Sequence, residues 1–373
     1  MADRYFINGG VDAKWSTSGN WSATDGGGAS GVKPTAADGV FFTANSPVCT
    51  VDTAGVGLTL NFTGYANTIT MTAGLTISGS VTLVAAMTIA GASGLTINPA
   101  TTSTATLISN GKTWPNSLTL NGNVSGVPTF AFSDAWDVNG SLTIATTGGQ
   151  GNNLNGGQIN VAVGLSSTGN GTCTGSSLIV LDGTGTWTGG SAIGNSVTIN
   201  TAGTITLSGT IAYRTGTLTY TAGTVSTGGS LTCNLAATFA VNGITWTNVT
   251  LNPDAQTITL AENMNLTGTL TLGQSNKAMS VNGNTINTSE ITCSTSLSVS
   301  GTTILNVNNT GTLSSGTGGT INNSIIINAP GKTVTIAATF RNQLNKFQYL
   351  AGTVISDIGT WLGVSPVGQQ CGM

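Results

Sequence analysis

Two carboxylates flank one indole near the middle of this chain. Asp134 and Asp137 stand on either side of Trp136, the one close pair among 12 acidic residues. Glycoside hydrolysis needs little more than two carboxyl groups at a set separation, and a Trp offers a sugar ring a flat apolar platform. Asp134, Trp136 and Asp137 are therefore the candidate glycan-binding residues. A calcium-assisted site is an alternative use of the same acids. The plainer reading, a polar turn beside a core Trp, is preferred because no further acids cluster around the pair. No catalytic residue, metal or cofactor is assigned.

Other chemistries fail on residue type. The chain has no His, which removes Ser-His-Asp and Cys-His nucleophiles and most general acid–base arrangements. Gly-Lys-Thr occurs at Gly111 and Gly331, but a P-loop needs another Gly five residues earlier; Thr106 and Ile326 stand there. There is no CxxC among the five Cys, and Cys173, Cys233 and Cys293 are spaced at 60 and 60 residues, each after a Thr. That regularity reads as one repeat position filled three times by a buried free thiol acting as a small hydrophobe. Cys371 is the one expected to be exposed.

The elements that must carry these residues are short and alternating. Leu75-Thr76-Ile77, Val81-Thr82-Leu83, Leu95-Thr96-Ile97, Leu142-Thr143-Ile144 and Leu270-Thr271-Leu272 are typical. Alternation sends two aliphatic side chains to one face and Thr to the other. A longer phrase also recurs, as Asn116–Asn121, Asn195–Asn200, Thr247–Asn252 and Asn323–Asn328. Self-similarity over tens of residues marks stacked repeats, and a sandwich has no reason to repeat its own phrase. The expected fold is all-β, a parallel β-helix or β-solenoid. Coils of roughly 20–30 residues would number about ten and pile up at ~4.8 Å each. Trp114, Trp187 and Trp246 each follow a Thr and precede such strands, so they read as a repeated structural position. Thr rows on a flat face also raise ice binding, which the uneven spacing of the triplets disfavours.

Three segments are expected: residues 1–55, an aromatic capping or attachment module; 56–339, the repetitive solenoid; and 340–373, a C-terminal cap or oligomerisation segment. A short helix around Arg341, Gln343, Leu344 and Lys346 is the one helix expected. Trp15, Trp21, Phe347, Tyr349 and Trp361 are the candidate assembly residues.

Composition narrows the function. Gly numbers 54 of 373 residues, and only 6% are charged, against roughly a quarter in an ordinary soluble domain. Hydrophobic residues still make up 39%, enough for a core. Net charge is −3 without a Lys/Arg cluster, so the basic footprint of a nucleic-acid groove is missing. No stretch approaches the ~18 apolar residues of a membrane span. Met1–Gly10 lacks the apolar region of a secretory signal, whereas the uncharged Thr/Asn/Ser composition suits an extracellular surface. A particle protein released by lysis of its host reconciles the two; an adhesin whose export signal has been removed is the alternative.

The opening resembles a module at the front of bacteriophage β-solenoid proteins and some bacterial surface proteins. The residues that carry the likeness are Arg4, Tyr5, Phe6, Gly9, Gly10, Trp15, Asn20, Trp21, Ser22, Gly26–Gly28, Pro34, Asp38, Phe41 and Phe42. The resemblance covers about the first 50 residues well and the repeats loosely. It implies a virion or surface role, with no catalytic residues to carry over; the function expected first is a non-enzymatic structural protein of a phage particle, a capsid-decorating or fibre protein. The partners expected are other virion proteins, copies of the chain itself (a trimer, from the shape class alone) and, for an attachment role, a host surface glycan. The acidic cleft of tailspike enzymes has no recognisable counterpart here. A glycan-binding or glycan-cleaving tail protein and a bacterial adhesin are the alternative functions.

Overall fold

A computed structural model describes residues 1–356 except 11, 101, 123–124, 227, 254, 274–277, 294–297, 317–318 and 343–345. The chain is an all-β parallel solenoid of about 14 turns, 54% strand and 1% helix. It divides into two compact units, one of Met1–Ser196 with Asn200–Ile205, the other of Val197–Ile199 with the residues from Thr206 onward.

In the first unit the alternation does what side-chain period demands. Leu75, Leu95, Leu118, Leu142, Leu165 and Trp187 are paired in register, coil upon coil, and so are Ile77, Ile97, Leu120 and Ile144. All are buried. Parallel strands stack these positions at about 4.8 Å, so each aliphatic chain packs on its own equivalent above and below. Burial of each contributes about 1.5–3 kcal/mol, and the sum replaces a globular core. The coil repeat varies from 20 to 24 residues between these positions; the variation falls in the turns.

Stacking begins earlier than the expected boundary at residue 55. Asp3–Phe6 pairs in parallel with Gly39–Phe41, which pairs with Thr59–Asn61. Trp21–Ser22 runs antiparallel on the other edge of Asp3–Phe6. Phe6, Trp15, Trp21, Phe42, Phe62 and Tyr65 form one ring cluster over this first coil, with neighbouring centroids 4.8 to 5.7 Å apart in the closest pairs. Asn20, fully buried, knits the segment: its amide donates to the carbonyls of Asp12 and Lys14 and accepts from the Gly10 N–H.

The second unit repeats the scheme. Leu231, Val249, Leu270, Ile291 and Leu313 form one interior file. Tyr213, Cys233, Leu251, Leu272 and Cys293 form the neighbouring one. On the outside, Asn265, Asn287 and Asn306 stack as an amide ladder, each side chain donating to the one before at 2.8 Å between 306, 287 and 265.

Part of the segment after residue 339 also stacks on the coil. Phe347–Ser356 is a strand paired in parallel with Ser324–Ile336. The expected helix falls partly on 343–345, outside the described residues. Coils at both ends, together with repeats near the short limit of the expected range, account for about 14 turns where ten were expected. Among the described residues no helix is long and apolar enough to cross a membrane.

Candidate functional site

The acid–Trp–acid triplet does not assemble into a cleft. Alternation along Trp136–Val138 turns Trp136 inward, where it is fully buried, paired with Ile159 and packed against Phe132. With no exposed ring face, Trp136 cannot carry a sugar, which corrects that expectation. The two carboxylates serve opposite neighbours. Asp134 accepts from the Ser109 N–H and hydroxyl and from the Asn110 N–H, at 2.6 to 3.0 Å, on the preceding coil. Asp137 accepts from the Asn160 amide on the following coil. Burial pushes the Asp182 carboxyl above the usual carboxylate range, and the Asp137 charge adds to the rise. Among the described residues no group of three or more His, Cys, Asp or Glu is placed to hold a metal.

The aromatic assembly residues are placed differently from expectation as well. Trp15 and Trp21 are 2% and 0% exposed, and the Trp21 indole N–H donates to the Trp15 carbonyl at 2.9 Å. They are the core of the first coil and offer no surface to a partner, a correction that follows from the same alternation. Phe347 is buried; Tyr349 is half-buried, its hydroxyl donating to the Gly352 carbonyl. Trp361 and Cys371 lie outside the described residues. Cys49, Cys173, Cys233 and Cys293 are free, buried thiols, and Trp114, Trp187 and Trp246 are buried too.

What the first unit does present is a face of hydroxyls. The residue after each member of the Leu75-to-Trp187 file points outward, and these residues are themselves in register: Thr76, Thr96, Thr119, Thr143, Ser166 and Thr188. Ser141, Gly164 and Thr186 form a parallel outward file beside the last three. The face is interrupted where that file holds Gly164. There a shallow open depression of about 280 Å³ is lined by Ser141, Val163, Gly164, Ser166, Thr186 and Thr188, with Leu165 and Gly185 completing it. Val163 is 47% exposed. None of these lining residues is charged.

Two of its lining residues are glycines at close approaches of neighbouring coils. A Cβ on Gly164 would stand 2.7 Å from the Thr186 carbonyl oxygen, and one on Gly185 only 1.1 Å from that of Val163. Neighbouring coils approach too closely there for any side chain. Sequence reasoning missed this feature because Ser141, Gly164 and Thr186 come from three coils and form no local motif; the apolar–Thr–apolar pattern was the available signal. Comparison with protein families, with curated proteins and with solved structures finds no match to this chain.

Proposed function

We propose that this chain is a non-enzymatic structural protein of a bacteriophage virion surface, a capsid-decorating or fibre protein that assembles with other virion proteins and with copies of itself. The observation that supports this reading best is the in-register stacking of interior aliphatics beneath an outer layer of Thr, Ser and Asn. Each coil is locked to the next by parallel backbone pairing and by stacked, mostly aliphatic side chains, so the repeat favours rigidity. The outer layer is polar with very few charges, which suits a surface that meets solvent. The acids of the expected cleft are engaged in bracing neighbouring coils, consistent with a structural role. The likeness of residues 1–50 to the openings of phage solenoid proteins supports a virion location; the same module opens some bacterial surface proteins, so a cell-surface adhesin is the second reading.

Antibodies against the purified chain test the location. Immunogold electron microscopy of phage particles from the strain carrying the gene is expected to label capsids or fibres. Label restricted to the envelope of uninfected cells would overturn the proposal in favour of an adhesin. Sedimentation equilibrium of the purified chain tests the trimer, and a monomer at micromolar concentration would count against it.

A further inference from the structure

The outer side of the first coil gathers two aromatic rings and two carboxylates that the buried ring cluster does not use. Phe6, Val40 and Phe42 turn inward and are fully buried, so alternation sends Asp3, Tyr5, Gly39 and Phe41 to the other side of the sheet. Register sets Asp3 beside Gly39 and Tyr5 beside Phe41. The two half-buried rings stack with centroids 4.9 Å apart. A Cβ on Gly39 would stand 2.9 Å from the Phe41 ring and 3.1 Å from the Asp3 carboxylate, so ring and acid meet over bare backbone. Two residues beyond Phe41, the Thr43 hydroxyl donates at 2.6 Å to Asp25, which opens the Gly26–Gly28 loop. A carboxylate thus stands at each end of the ring pair. Burial pushes the Tyr5 hydroxyl up, and the Asp3 and Asp25 charges push it further; among the described residues no basic group opposes them. The ion pairs of the described residues are Arg4–Asp38 and Lys14–Asp12, and neither uses Asp3 or Asp25.

That combination selects a flat cation. The face of an aromatic ring attracts positive charge, and the carboxylates add to the attraction while repelling anions. A bare divalent metal would need several oxygen ligands converging on one point, whereas the rings hold these two acids apart. A guanidinium is planar, weakly hydrated, stacks on aromatic rings and donates in fixed directions to carboxylates. The chain carries 12 acids against nine bases, so a second copy is a poor donor. We infer that the Tyr5–Phe41 face binds an arginine side chain on an exposed segment of a different, basic protein, with Asp3 and Asp25 as the flanking carboxylates. The inference rests on the proposed assembly role and gives one contact of that assembly its chemistry. Binding of an isolated peptide needs no particle, so its failure and a failure of immunogold labelling are distinguishable.

Chemical-shift perturbation in amide NMR spectra of the full chain tests it, with acetyl-Gly-Arg-Gly-amide as the probe and acetyl-Gly-Glu-Gly-amide as the anionic comparison. The arginine peptide is expected to shift the amides of Tyr5, Gly39 and Phe41, and to bind about threefold or more weakly as salt rises from ~20 to ~500 mM. The glutamate peptide is expected to leave those amides unmoved. The Asp3→Asn/Asp25→Asn double variant keeps the Thr43 contact, since an Asn oxygen still accepts, and should weaken binding by about fivefold or more. Tyr5→Leu keeps an apolar side chain against Phe41 and should weaken it by about two- to fivefold. Glu262→Gln, an acid of the second unit, should leave binding unchanged. Thermal melting by circular dichroism checks folding. Should Tyr5→Leu not fold, the double Asn variant carries the test. Absence of shifts at those three amides, equal binding of the glutamate peptide, or an affinity indifferent to the Asn and Leu changes would overturn the assignment.

Discussion

Cys233 and Cys293 stand in one interior file, three coils apart, with Leu251 and Leu272 filling the two places between them. The 60-residue spacing is thus three turns of the solenoid, and a thiol occupies a slot that leucine occupies equally well. Two consequences follow for the packing. Cys293→Val should shift stability by less than ~1.5 kcal/mol in urea denaturation, as volume-conserving apolar changes do. Cys293→Asp should lower it by several kcal/mol, because a carboxylate would be taken out of water without a partner. A large loss on Cys293→Val would mean that the thiol does something other than pack.

The same burial sets a pH dependence. It pushes the Cys293 thiol up to about 11 and the Cys233 thiol to about 12, from an ordinary 9.0. Between those values the folded chain keeps protons that the unfolded chain gives up, so stability falls as pH rises. The contribution is intact below about pH 9 and drains away toward about pH 12. Urea midpoints measured from about pH 8 to about pH 11 should decline, and less steeply in the Cys233→Val/Cys293→Val double variant. Parallel slopes in the two proteins would refute this account.

Buried amides brace the coils where the recurring phrase begins. Asn195 donates to the carbonyls of Leu154 and Ser177, both at 3.0 Å, and Asn323 to those of Val281 and Thr303 at 3.2 and 3.1 Å. Both are fully buried. Replacing either by Leu leaves carbonyls without their donor, at about 1–3 kcal/mol for each buried group. The outward Thr143→Val should change stability by no more than ~0.5 kcal/mol. Chemical denaturation of the three variants decides whether the phrase is preserved for its amides or only for its aliphatics.

The inward and outward assignment of residues was legible wherever apolar–Thr–apolar triplets occur, since period-2 alternation leaves no freedom once one face is buried. The file holding Cys233 and Cys293 was legible from spacing alone. The coil count was not, because turns of unequal length hide the repeat between Leu75, Leu95 and Leu118. The segment expected as a C-terminal cap or oligomerisation segment carries a repeat phrase in its described part. Tyr349-Leu350-Ala351-Gly352-Thr353-Val354 in fact echoes Tyr220-Thr221-Ala222-Gly223-Thr224-Val225, and in both the Tyr hydroxyl donates to the Gly carbonyl three residues on. Trp136 was weighed as a sugar platform on the strength of its acidic neighbours. Alternation already placed it opposite to Asp137, and that local rule outranks composition. The depression was beyond reach, because it exists only after three coils are stacked.

Asp134 separates a structural reading of the acid–Trp–acid triplet from a functional one. Its carboxylate takes three hydrogen bonds from Ser109 and Asn110, so Asp134→Ala strands two backbone N–H donors at a coil junction, while the Ser109 hydroxyl keeps the Ala135 carbonyl as its acceptor. A loss of about 1–3 kcal/mol is expected. Asp137→Ala removes one contact, with Asn160, at a partly exposed position, and should cost ~1 kcal/mol or less. Neither change touches the Tyr5–Phe41 face, so binding of the arginine peptide should survive both once the variants are folded. Were binding instead to vanish in Asp137→Ala while its melting curve matched the parent, the ligand would have to sit against the outer surface of the Trp136–Val138 strand, and the acids there would regain a binding role.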